Sequence, residues 1–326
     1  MKYIAINNQQ NLVFAQSELP KISAEQCLIK IYAIGVNRAD ILQRQGKYPP
    51  PEGESSILGL EICGEIIACG SKVKNWQCSD KIFGLVAGGG YAQYAVINAD
   101  HIMRLPPNYS YQQGAAIAEV FLTAYQSLFL ISNLQVKQSV LIHAGASGVG
   151  CAAIQLAKSK DCFVVATVGT DQKAETCLEL GADVVINYHQ TDFVKWTKEH
   201  LKQGFDVIID VVGGEYLNKN INVVAQDGTI VILSMLAGRF CENIDIAKLL
   251  LKRVKIQAST LRNRSDEYKT QLIKNFTEDY SEQLIEGKIK PVISHKFSWH
   301  EVEDAHQVML DNKNIGKIVL TVEDDD

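Results

Sequence analysis

Ser139-Val140-Leu141-Ile142-His143-Ala144-Gly145-Ala146-Ser147-Gly148-Val149-Gly150 begins as a short apolar run and ends in a glycine loop. Ser139 to Ala144 contains no Pro and little polarity, the pattern of a parallel strand covered on both faces. Beyond the loop, Cys151 to Lys160 carries Ala152, Ala153, Leu156 and Ala157 at spacings that keep them on or near one helical face. Phe163 to Val168 supplies a second buried strand, so the whole stretch reads as a βαβ unit. Glycines in such a loop let the backbone approach a pyrophosphate, and the helix N-terminus that follows offers unpaired N–H groups and partial positive charge. A dinucleotide fits there. The usual fingerprint is Gly-x-Gly-x-x-Gly whereas this loop reads Gly-x-x-Gly-x-Gly, so the flanking strands carry the reading rather than the motif.

The same alternation continues downstream. Asp171 to Leu180 is helical and stopped by Gly181, followed by strands at Val184–Asn187, Phe205–Asp210 and, after a turn at Asp227, Gly228–Leu233. This spacing predicts an α/β fold with a doubly wound parallel sheet, which binds ligands beyond the carboxyl ends of its strands. Upstream, Met1 to about Ile117 is a small β domain. Its strands are expected at Cys27–Tyr32, Glu65–Ala68, Asp80–Gly84 and Tyr91–Val96, between loops at Pro49-Pro50-Pro51 and Gly88-Gly89-Gly90. Ala115 to Leu130 reads as a linking helical region. At the other end, Ser298-Trp299-His300-Glu301 is a capping box that opens a helix with Val302, Ala305 and Met309 on one side. Lys317–Val322 is a closing strand, expected to return to the β domain.

With 326 residues, the chain has room for about two domains. A hydrophobic content of 47% with 21% charged residues argues against disorder, and a net charge of −5 disfavours a polyanion partner such as nucleic acid. Eight scattered cysteines without a Cys-x-x-Cys pair read as reduced thiols of a cytoplasmic protein. The N-terminus builds no signal-peptide core, no run is expected to reach membrane-spanning length, and the acidic tail Glu323–Asp326 reads as a frayed end.

Taken together, Asn37 to Pro51, Leu58-Gly59-Leu60-Glu61, His143 to Gly150 and Asn312 to Lys317 resemble the medium-chain dehydrogenase/reductase superfamily. Within it the likeness is to the zinc-free, zeta-crystallin-like quinone oxidoreductases, nearest the stress-induced branch, and it covers nearly the whole chain. The resemblance implies a GroES-like β domain over residues 1–117 and 261–326 and a Rossmann domain over 118–260, with NADPH in a cleft. It further implies that Asn37 and Tyr48 line the nicotinamide and substrate end. Read from the residues alone, Asn37 is a turn residue and Tyr48 a loop anchor. The resemblance extends the cofactor site over Thr123, Ala146, Ser147, Gly148, Val149, Gly150, Leu233, Met235, Thr260, Leu261 and Asn314. No residue is assigned as an essential catalyst. Glu61 reads as a hydrogen-bond acceptor, His143 as a satisfied core histidine, and Asp210 as either near the cleft or bracing its loop.

An acid at the end of the second Rossmann strand would accept from a ribose 2′-OH and repel a 2′-phosphate, but this chain has Gly169 there. Lys173 in the next helical turn and Tyr188 after the third strand match family positions that reach a 2′-phosphate. The expected cofactor is therefore NADPH, with Asp171 assigned to N-capping. Zinc is not expected. Zinc-dependent relatives place a Cys where this chain has Asn37 and a His where it has Leu60, and Leu85 to Tyr91 lacks the four cysteines of a structural lobe. The implied activity is NADPH-dependent reduction of a quinone. Its alternatives are enal or enone (enoyl-type) reduction, or a non-catalytic NADPH-binding RNA or regulatory partner. A homodimer is expected, paired through a late edge strand at Val254–Thr260.

Overall fold

Ser139–Ile142 lies inside a six-stranded parallel sheet in a computed structural model that describes residues 1–323. The strand order across this sheet is Val184–Asn187, Phe163–Val168, Ser139–Ile142, Phe205–Asp210, Val224–Ile232 and Lys255–Ala258. In chain order that is 3-2-1-4-5-6, the doubly wound arrangement. Leu141, Val165, Ile208 and Ile230 are buried at its centre, against Phe193 and Phe205. This sheet and its helices make one compact unit, Thr123–Thr260. The other unit is Met1–Leu122 together with the described residues from Leu261 on.

The second unit is built on Gln26–Val36, the longest strand of a seven-stranded sheet. It pairs antiparallel with Glu61–Cys69, which continues to Lys81–Leu85 and Ile102–Arg104. Tyr94–Asn98 pairs with residues Gln26 to Lys30, while Lys317–Thr321 pairs with Ala33 to Val36. The closing strand therefore does return to the β domain, and Ile293–Ser298 lies parallel to it on its far side. Trp299, Val302, Ala305 and Met309 are buried, so the helix Val302–Leu310 turns the expected face inward. The capping box is present, with the Glu301 carboxylate accepting from Ser298 N–H at 2.9 Å, although it closes a 3₁₀ turn ahead of the helix.

Several boundaries move. The helix after the glycine loop starts at Gly148, not Cys151, because Ser147 caps it by accepting from Gly150 N–H at 3.1 Å. Glycine's poor helix propensity hides a start that the cap enforces. The fifth strand begins at Val224 and passes through Asp227, whose positive φ of 64° is absorbed as an irregularity in the pairing. Tyr111–Ile131 is a correction to the membrane reading: this 21-residue helical stretch is long and apolar enough to cross a membrane. Its interruptions by Gln112, Gln113, Glu119 and Gln126 hide this in a scan for unbroken apolar runs. Within the protein, 72% of its most apolar window is buried, as in a core helix. The tail expectation lies, beyond Glu323, outside the described residues.

Candidate functional site

Ala144, at a φ of +50°, turns the chain out of Ser139–Ile142 and into the glycine loop. The loop is tight: a Cβ on Gly150 would come within 2.5 Å of the carbonyl oxygens of Ala144 and Gly145. Ser147 occupies the cap, and the N–H groups of Gly148 and Val149 meet no acceptor among the described residues. Two open donors at the start of an 11-residue helix fit an anionic diphosphate. The neighbouring polar groups are satisfied internally. His143 is fully buried, with Nδ1 2.9 Å from Thr167 Oγ1 and Nε2 2.8 Å from Asn220 Oδ1. Asn220 Nδ2 donates to Asp210, so its oxygen faces the histidine and Nε2 carries the proton. Burial lowers the His143 pKa and keeps the ring neutral. The Asp210 carboxylate also accepts from Val212 and Gly213 N–H at 2.7 and 3.0 Å, which is the loop-bracing role.

No acid stands at the end of Phe163–Val168. Instead the Tyr188 hydroxyl lies against the Gly169 α-carbon, where any side chain on residue 169 would collide with it. Lys173 is half-buried in the first turn of the helix Asp171–Glu179, and burial holds its ammonium below the usual range. The expected role of Asp171 is corrected. Thr170 is the cap, with Oγ1 accepting from Lys173 N–H at 3.3 Å. Asp171 is the first helical residue and accepts from Asn187 Nδ2 at 2.8 Å and Gln190 Nε2 at 3.2 Å, so it braces the loop that carries Tyr188. Leu233 follows the fifth strand and donates its N–H to Asp210 O at 2.8 Å, while Met235 packs its α-carbon against Gly213 and leaves its side chain exposed. Thr123 accepts at its carbonyl from Ser127 Oγ, Ala146 is buried, and Thr260 is exposed.

In the other unit, the Asn37 amide is committed to its neighbours. Nδ2 donates to Glu61 Oε1 at 2.9 Å and to Gly35 O at 3.2 Å, and Oδ1 accepts from Lys317 Nζ at 2.7 Å. The Lys317 ammonium, 4% exposed, pairs with the fully buried Glu61 at 2.5 Å and donates to Val36 O at 2.8 Å. The other Glu61 oxygen accepts from Glu119 N–H at 3.0 Å. Asp40 accepts from Asn37 N–H at 2.8 Å and Gly59 N–H at 3.2 Å, and burial raises its pKa to about 6. Tyr91 joins Asp40 (3.3 Å) to His306 Nε2 (3.0 Å). Tyr48 is half-buried, with the Arg262 guanidinium 5.6 Å over its ring. Leu261 is buried and Asn314 Nδ2 donates to Gly316 O at 2.8 Å. Glu61 is thus not the lone acceptor expected from the sequence, and the partners it gains, Lys317 and Glu119, show there only as a lysine opening an apolar strand and an acid inside an apolar helix. Among the described residues no group of three or more His, Cys, Asp or Glu side chains is arranged to hold a metal ion, and no disulfide joins the eight cysteines.

Two family descriptions match the chain: "Alcohol dehydrogenase GroES-like domain" over residues 23–107 and "Zinc-binding dehydrogenase" over residues 148–278. The chain is 30% identical over 306 residues to the quinone oxidoreductase of Lama guanicoe, covering 93% of this chain and 90% of that protein. It is 29% identical over 317 residues to the synaptic vesicle membrane protein VAT-1 homolog of Danio rerio, with 93% of this chain aligned to 66% of that one. Escherichia coli quinone oxidoreductase complexed with NADPH superposes with a TM-score of 0.86 at 26% identity, covering 98% of each chain. CurK enoyl reductase also superposes at 0.86, with 26% identity and 99% of each chain covered.

Proposed function

Because the chain belongs to the medium-chain dehydrogenase/reductase family, among its quinone-oxidoreductase-like members, we propose that it reduces quinones or related electron-poor carbonyl compounds with NADPH. Bound NADPH supplies the hydride. The protein's part is to hold the acceptor and the dinucleotide, exclude water and manage one proton. The open N–H groups of Gly148 and Val149 would receive the diphosphate at the helix N-terminus, with Ser147 fixing the first turn through Gly150. Asn37 and Tyr48 belong to the acceptor end on this reading, although the Asn37 amide is bound to Glu61 and Lys317 and so acts by shape rather than by donating to a ligand.

The observation that carries the choice of NADPH is the end of the second Rossmann strand. Gly169 leaves no carboxylate to accept from a 2′-OH, Tyr188 covers it, and Asp171 is occupied by two amides. A cation at a helix N-terminus opposes the macrodipole by a few tenths of a kcal/mol, roughly, and a 2′-phosphate beside Lys173 offsets that cost. The test compares kcat/KM for NADPH and NADH in the wild type and in Lys173→Ala. The expected result is a wild-type preference for NADPH that shrinks in the variant. A wild type preferring NADH overturns the choice, and an unchanged ratio removes Lys173 from it.

The resemblance to CurK enoyl reductase supports the enal or enone alternative, and a panel of quinones and enals scored by NADPH oxidation separates the two. A purely RNA-binding role is disfavoured by the net charge of −5, and turnover without a gel shift excludes it. Zinc independence rests on Leu60, which has no ligand atom, and on the committed Asn37 amide. Stoichiometric zinc lost together with activity on chelation would refute it. We also propose a homodimer formed in the cytoplasm. Lys255–Ala258 ends the parallel sheet with all four residues exposed, and Phe240, Ile246, Leu250 and Leu251 nearby in sequence expose large apolar side chains. Sedimentation as a monomer at every concentration would exclude it.

A further inference from the structure

We propose that Glu119 carries the proton that completes the reduction, and that Arg262 holds the acceptor's carbonyl oxygen beside it. This rests on the oxidoreductase reading above. Both residues line one small recess, partly open to solvent, whose walls mix Leu60, Leu85, Val86 and Leu261 with polar groups such as Glu54 and His101. A recess in which apolar side chains meet convergent polar groups can seat a polar carbonyl end of an acceptor. Arg262 is 4% exposed, with Nε donating to Ala87 O at 2.7 Å and Nη1 to Gln43 Oε1 at 2.8 Å. Its Nη2 is buried and has no partner. An unmet buried donor of a charged group is costly, and an oxygen arriving in the recess removes that cost.

Glu119 stands on the helix Ala118–Tyr125, and among the described residues no hydrogen bond reaches its carboxyl group. Burial is the largest influence on it, the Glu61 and Asp40 carboxylates push in the same direction, and Lys317 and Arg262 oppose them. The outcome is a pKa of about 8, so the group holds its proton at neutral pH. Tyr48, also facing it, has its phenol pKa raised, by burial first and then by Glu119. When hydride (H⁻) adds to the conjugated acceptor, one carbonyl oxygen becomes a phenolate- or enolate-like anion. Arg262 stabilises that charge, and the oxygen takes H⁺ from Glu119, breaking the Glu119 O–H bond and leaving a carboxylate. Phenols have a pKa of about 10, so this transfer runs downhill. The acceptor has then gained two electrons and two protons' worth of hydrogen, and Glu119 regains H⁺ from solvent through the open side of the recess.

The first measurement uses the cofactor-free protein. Infrared spectra should show a protonated carboxyl band at pH 7, where Asp40 with its pKa of about 6 is mostly ionised, that is lost above about pH 9, and Glu119→Gln should lack it. The second is single-turnover NADPH oxidation with a quinone. Wild type should slow above about pH 8, Glu119→Gln should be slower by about 100-fold with no alkaline limb, and Glu119→Asp should retain the limb. Fluorescence titration should give all three proteins the same NADPH affinity. If Glu119→Gln fails to fold, the wild-type band and the Asp variant still decide. A wild type that turns over without a carboxyl band at neutral pH, or a Gln variant with the wild-type rate and limb, overturns the inference alone. A wild type that reduces no quinone and no enal overturns the oxidoreductase reading instead.

Discussion

Replacing Lys317 by Met removes a buried ammonium while keeping most of its packing. Three bonds disappear together: those to Glu61 at 2.5 Å, Asn37 at 2.7 Å and the Val36 carbonyl at 2.8 Å. Glu61 is then a fully buried carboxylate held only by the Asn37 amide and the Glu119 N–H. Summing three charge-assisted bonds would give about 4.5–9 kcal/mol, but Glu61 keeps two donors and Met fills the space of the stem. The cost of stripping one partner from a buried pair is the better guide, and it gives about 4 kcal/mol. Adding Glu61→Gln removes the stranded charge and should recover about 2 kcal/mol of it. Urea unfolding followed by tryptophan fluorescence reads this. Trp76 and Trp299 lie in the unit that contains Lys317, and a Trp196→Phe background silences the other. A loss below about 1 kcal/mol, the worth of an exposed pair, would refute the reasoning, as would additive single effects.

Acid should act through His306, whose ring is buried with Nδ1 unpartnered and whose pKa falls from 6.5 to about 4 through burial and then Arg44, against the opposing pull of Glu303. The unfolded chain takes up this proton first, so stability falls as pH drops from about 6.5 to about 4, by about 3 kcal/mol in all. His306→Gln should lose that much less over the same range, and parallel curves would exclude it. Gly150→Ala drives a methyl into two carbonyl oxygens and should cost about 1–3 kcal/mol and weaken dinucleotide binding, read by unfolding and by NADPH fluorescence. Ser147→Ala removes the cap on the same helix and should cost about 1 kcal/mol without the binding loss of Gly150→Ala.

What could be read in the sequence follows from how local its causes are. Val184–Asn187 and Phe205–Asp210 fall where their apolar runs placed them, because a strand buried on both faces declares its ends by a change of polarity. The start of the helix at Gly148 did not, since a side-chain cap overrode glycine's preference. At the end of Phe163–Val168, the missing acid at Gly169 was legible but the cap was not: Thr170 and Asp171 are both good cap residues, and the Asn187 and Gln190 amides decide between them. The cluster around Asn37 was least legible. Asn37, Glu61 and Lys317 are brought together by pairing between distant strands, with Asn37 and Lys317 280 positions apart, and Glu119 joins them from the start of a helix. Each alone resembles an ordinary turn, acceptor or surface residue.

The place of Lys317–Thr321 in the sheet also sets an order of events during synthesis. Thr123–Thr260 is contiguous and has its own core, so it can be complete before Lys317–Thr321 is made. The β domain has to wait. Residues Ala33 to Val36 keep an open edge, and Glu61 an unpaired charge, until Lys317–Thr321 emerges. A chain halted before Lys317 should therefore resist protease over Thr123–Thr260 and be cut within Gln26–Cys69.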